Sequence, residues 1–149
     1  MNPESPHRVA IDHDDYHATH VGQTADGRQF FLTCPFEPAV NGNVGAEFNA
    51  LYLFDKDGEF ISAQIEAFGP RGTFDAAVKE AAYCRLLDGL GPVTLQRIEV
   101  APFEVERFGT KFGLIGRDCD DPEGVLAVEA QPGNYMAFFE PWDSGEYDT

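Results

Sequence analysis

Positive charge is what this chain has least of. Ten Lys and Arg stand against 26 Asp and Glu, a formal net charge of −16, and the last 32 residues, Asp118 to Thr149, hold nine acids and no Lys or Arg. A surface of that sign lacks the cations that displace counterions from phosphate, which excludes nucleic acid and anionic membranes as partners. It favours solubility and a cationic partner. Long apolar runs are also missing: none approaches the ~18 residues of a membrane span. The N-terminus has no basic stretch leading into an apolar segment, so no signal peptide is expected. Cysteine is scarce and odd in number, with Cys34, Cys84 and Cys119 far apart. That argues against a disulfide scaffold and for a reducing, cytoplasmic setting. No histidine follows His20, no Ser stands in a Gly-x-Ser-x-Gly elbow, and the glycines of Asn41–Gly45 come without the Lys of a phosphate loop.

What is present is enough for one folded unit. At 149 residues, 43% hydrophobic and with 13 Phe, the chain has ample material for a core. A domain of this size buries roughly 70% of the surface its unfolded chain exposes. Residues 1–16 carry Pro, Asp and His without an apolar period and read as a flexible N-terminal arm. Residues 17–140 read as a single domain, and 141–149 as an acidic, aromatic tail.

Asp-Gly pairs set the expected turns. Thr24-Ala25-Asp26-Gly27 precedes Gln29–Cys34, and Asp55-Lys56-Asp57-Gly58 separates Asn49–Phe54 from Phe60–Phe68. Asp at the third place and Gly at the fourth suit a type I turn closed by a left-handed glycine. In Phe60–Phe68, Ile61, Ala63, Ile65 and Ala67 alternate with Ser62, Gln64 and Glu66, the period of a strand in an antiparallel sheet. One helix is expected over Phe74–Leu90, with Thr73 as N-cap and Asp75 in the first turn. Its apolar stripe is Val78, Ala82, Leu86 and Leu90, widened by Tyr83 and Leu87, and Gly89, Gly91 and Pro92 end it. Lys79 falls inside that stripe, with its stem laid along apolar surface. Strands follow at Val93–Val100, Phe103–Phe108, Lys111–Ile115, Val125–Ala130 and Tyr135–Phe139. A phase slip between Leu95 and Ile98 suggests a β-bulge near Gln96. These elements describe an α+β fold: an antiparallel curved β-sheet built from hairpins, with one main α-helix packed on one face.

Candidate chemistry is thin. His13, His17 and His20, with Asp15, form the one metal-like cluster, since three histidines at helical spacing could share a face. Its competing explanation is a solvated polar segment. Asp55-x-Asp57-Gly58-Glu59 resembles the start of a calcium loop, but its Gly is fourth rather than sixth, so a turn explains it better. Asp118, Asp120, Asp121 and Glu123 read as a charged surface loop, and Glu104 with Glu106 as exposed carboxylates. Cys84 and Cys119 have acidic neighbours that disfavour the thiolate, while Cys34 shares a strand face with Phe30 and Leu32 and reads as core. Trp142, Asp143, Glu146 and Tyr147 could dock a basic partner, although Trp142 folding back on its own sheet is the alternative. No catalytic residue and no cofactor is assigned.

The run Gln131–Thr149 (QPGNYMAFFEPWDSGEYDT), with Phe31–Phe36 (FLTCPF) and Asn49–Phe54 (NALYLF), resembles a family of small bacterial proteins sometimes labelled formylmethionine deformylase-like. The deformylase metal site itself has no counterpart, because no histidine here precedes Glu and no cysteine follows Gly. The expected function is therefore a non-catalytic cytoplasmic accessory or binding protein, monomer or homodimer, whose acidic surface meets a basic protein partner. The alternative is a metal-dependent hydrolase using the histidine cluster. A structural or stress-associated dimer module is a third class.

Overall fold

Turn chemistry starts the main sheet. In the computed structural model, which describes residues 8–13, 19–37, 44–70, 72–118, 126–132, 136–138 and 145–147, both Asp-Gly turns close as expected. Thr24 N–H donates to the Arg28 carbonyl at 2.8 Å, and Asp55 N–H to that of Glu59 at 2.8 Å. Gly27 and Gly58 sit at φ 90° and 87°, the left-handed region that favours glycine. The Asp55 carboxylate accepts the Asp57 and Glu59 N–H groups at 2.9 Å each, so this loop is an Asx turn.

In chain order the elements are β1 (Val9–Ile11), β2 (His20–Thr24), β3 (Gln29–Thr33), β4 (Phe36–Glu37), β5 (Ala46–Phe54), β6 (Phe60–Gly69), α1 (Ala76–Asp88), β7 (Val93–Leu95), β8 (Ile98–Val100), β9 (Phe103–Arg107), β10 (Thr110–Asp118), β11 (Leu126–Gln131), β12 (Met136–Phe138) and β13 (Gly145–Tyr147). Every pairing is antiparallel. This is an α+β fold, but with two sheets and a ribbon where the sequence pattern suggested one sheet. The first sheet holds β2 to β7, with β5 between β3 and β6. The second runs β13-β12-β11-β10-β9, and β1 pairs with β8 as a two-stranded ribbon.

The second sheet exists because the central strands are apolar on both faces. In β3, Phe30 and Phe31 are both fully buried, and in β5 so are Ala50 and Phe54, with Leu51 and Tyr52 nearly so. Both faces of such strands need cover. One face packs Phe31, Phe48, Tyr52 and Phe54 against Phe103, Phe112 and Leu114 of the second sheet and Val9, Ile11, Ile98 and Val100 of the ribbon. The other packs Phe30, Leu32, Leu51 and Leu53 under Tyr83, Leu86, Leu87 and Leu90 of the helical segment. β3 and β4 are one strand in register terms: Thr33 faces Ala50 and Phe36 faces Glu47. Only Cys34-Pro35 interrupts them, where Pro35 has no N–H to give and accepts from Phe48 at 3.0 Å.

Three expectations are corrected. The segment read as a flexible arm carries β1, whose three residues are at most 1% exposed; a three-residue apolar strand is too short to show a period. The slip near Gln96 is a change of sheet rather than a bulge, since β7 pairs with β2 and β8 with β1. The helix starts later than expected, capped by Asp75, which accepts from Ala77 N–H at 2.9 Å. Thr73 turns its hydroxyl back to the Pro70 carbonyl instead. Val78 is 56% exposed and lies off the buried stripe, so the helix meets the sheet through Tyr83, Leu86 and Leu87.

Candidate functional site: a cleft between helix and sheet

Beside the Asn49 tie between β5 and the first half of α1, the sheet face is left partly open. A cleft of about 570 Å³ forms there. Its floor is Cys34 and Asn49, its helical wall Lys79, Glu80 and Tyr83, and Phe74 and Glu47 stand at its sides. The continuous β3–β4 register sets Cys34 directly across from Asn49. Cys34 Sγ donates to Asn49 Oδ1 at 3.6 Å, and Asn49 Nδ2 donates to the Lys79 carbonyl at 3.0 Å. Asn49 is fully buried, so one amide ties helix, strand and thiol together.

Burial holds two of the cleft's groups, the Cys34 thiol and the Tyr83 hydroxyl, in their neutral forms. Cys34 is reached from solvent through the cleft, while the protein around its sulfur desolvates it. That desolvation pushes the thiol above its usual pKa, against the pull of the Lys79 charge and hydrogen bond. Lys79 Nζ also lies 6.0 Å from the Phe68 ring centre, within reach of a cation–π contact. Burial raises the Tyr83 hydroxyl well above the ordinary tyrosine range, and the two thiols Cys34 and Cys84 add to the effect. Deeper on the same face, Tyr83 Oη meets His20 Nδ1 at 2.5 Å and reaches the Leu32 carbonyl at 3.4 Å. A neutral imidazole with its proton on Nδ1 satisfies both, donating to Oη while Oη–H donates to Leu32. The His20 pKa is lowered, by burial first and by the His13 charge second, which favours that neutral form.

A second cleft, of about 390 Å³, is polar and gathers Arg8, Lys56 and Arg97. Carboxylates already meet two of these cations, Arg8 with Glu59 at 3.1 Å and Arg97 with Asp12 at 3.2 Å. It joins the ribbon to the Asp55–Gly58 turn and is the weaker candidate.

Sequence-expected sites fare unevenly. Of the histidine cluster, His13 is exposed and His20 turns to Tyr83, while Asp15 and His17 lie outside the described residues. Among the described residues no three metal-capable side chains converge. Trp142 and Asp143 lie outside them too. Glu146 and Tyr147 belong to β13, whose backbone pairs with β12. Cys84 is exposed, and Cys119 is outside the described residues. Cys34 corrects the core reading: it keeps the face of Phe30 and Leu32 but ends in the cleft, because α1 does not cover that end of the strand. Two signals pointed there: a lysine in the apolar stripe, and a proline breaking the strand beside a cysteine. In comparisons with known proteins, no family model matches the chain, and no curated protein or solved structure is significantly similar to it.

Proposed function

We propose that the chain is a non-catalytic binding protein for a small amphipathic cation. The ligand's apolar part lies in the cleft above Cys34 and Asn49, and its charge lies near Glu47 and Glu80. The observation that carries this reading is the cleft itself, about 570 Å³ with Phe74 and Tyr83 in its walls. That volume is in the roughly 300–1,000 Å³ range of small-molecule sites, which are mostly apolar with a few placed polar groups. Two carboxylates and one ammonium line it, in a chain of net charge −16. The wider field concentrates cations and repels anions.

Binding rather than catalysis is favoured by the protonation states. A nucleophile or general base works best with a pKa near the operating pH. Here the Cys34 thiol and the Tyr83 hydroxyl are both pushed up, and His20 Nδ1 is committed to Tyr83. The expectation of a basic partner protein shares the charge argument, and the cleft narrows it to a small cation.

Octylammonium and octanoate test the reading, since they share a tail and differ in charge. Octylammonium should slow alkylation of Cys34 and raise the melting temperature, both less at high salt. Octanoate should do neither to the same degree. Equal or better protection by octanoate, or none from either, would reject the proposal.

A further inference from the structure

The longest strand among the described residues lies at a sheet edge. β6 has ten residues and, among the described residues, pairs only with β5. Its first residue, Phe60, stacks on Phe103 at 4.6 Å, but among the described residues no strand pairs along the rest of its outer side. Sheet edges are ordinarily blunted by lysine, proline, bulges or short length. Phe60–Gly69 contains no Lys, Arg or Pro. Its register shifts fall between Glu47/Phe48 and Leu53/Phe54, which leaves Ser62–Ala67 as an unbulged run with open backbone groups.

We propose that this edge pairs with a second copy of the chain, β6 antiparallel to β6 about a two-fold axis at Gln64. A two-fold antiparallel pair sets residues of one face opposite each other, so the axis passes through a residue. With the axis at Gln64, Ala63 meets Ile65 on the core-facing side, and Ile61, at the register shift that ends the run, comes opposite Ala67. Ile61 is 49% exposed in the single chain, and this contact covers it. On the other face, Ser62 of the second copy comes opposite Glu66. Glu66 Oε1 is buried and has no hydrogen-bond partner among the described residues, and the serine hydroxyl supplies a donor. Other registers are poorer. An axis at Glu66 sets two carboxylates face to face. An axis at Ala63 places Glu66 against Phe60. An axis at Ile65 places Ser62 against Phe68 and Ile61 against Gly69, which at φ 84° has left the extended conformation.

Sedimentation velocity and light scattering on the whole chain test the pairing. The wild type should be a dimer at micromolar concentration. Gln64 is exposed, so Gln64→Lys and Gln64→Glu should each fold with the wild-type circular dichroism spectrum. Each should be monomeric, because like charges meet on the axis. Mixing the two should restore a dimer, and Gln64→Ala should stay dimeric. A wild type that sediments as a monomer overturns the proposal. So does a dimer that Gln64→Lys leaves intact or tightens, the second being the result of the Ile65 register, where that lysine would face Glu66.

Discussion

Asn49 concentrates more of the site's geometry than any other side chain. It is buried at the start of an apolar strand, and its two hydrogen bonds join the Lys79 carbonyl to the Cys34 thiol. Removing it deprives both of a buried partner, a loss of about 1–3 kcal/mol. Asn49→Ala should therefore lower stability in urea by that order and speed alkylation of Cys34. His20 gives the second prediction at this scale. Its folded pKa lies below the ordinary 6.5, so the unfolded chain binds its proton first as the solution is acidified. The stabilisation is complete above pH 6.5 and is lost as pH falls through the folded pKa. His20→Gln should flatten stability as pH falls below about 6.5, before the carboxylates titrate, as followed by urea midpoints across pH.

At the scale of elements, α1 is held by tertiary contact more than by its own sequence. Ala82 is its one buried residue, and beside it Tyr83, Leu86 and Leu87 pack on the sheet face of Phe30, Leu32, Leu51 and Leu53. Ala82→Asp would place a charge in that contact and should unfold the helix, with a fall in helical circular dichroism, whereas Val78→Asp on the exposed side should leave it unchanged. Much of this layer was legible. The Asp-Gly turns, the alternation of β6 and the helix itself all follow from spacing, because their causes are local. The second sheet was legible only in part: Gln29–Cys34 and Asn49–Phe54 are apolar at successive positions, which signals two covered faces without saying what covers them. The cleft was not legible. It depends on how α1 and the sheet meet around Cys34 and Asn49, and that is fixed by packing between residues far apart in sequence. Lys79 and Pro35 marked the place without giving its shape.

For the molecule as a whole, the aromatic contact between the sheets is the main tie. Phe103 packs on Tyr52 at 4.8 Å, Phe54 at 5.4 Å and Phe60 at 4.6 Å, so one side chain links β9 to both β5 and β6. Phe103→Ala should cost about 3–5 kcal/mol and lower the melting temperature well beyond any surface change. The ribbon has a different consequence, which concerns time. Val9 pairs with Val100, about ninety residues away. During synthesis at about 5–20 residues per second, β1 waits several seconds without the strand it pairs with. Its three apolar side chains spend that interval uncovered, and closing so long a loop delays the last step of assembly. β1 is therefore made well before it can be placed, and the acidic, self-repelling character of the chain helps it stay dispersed until residues 98–100 arrive.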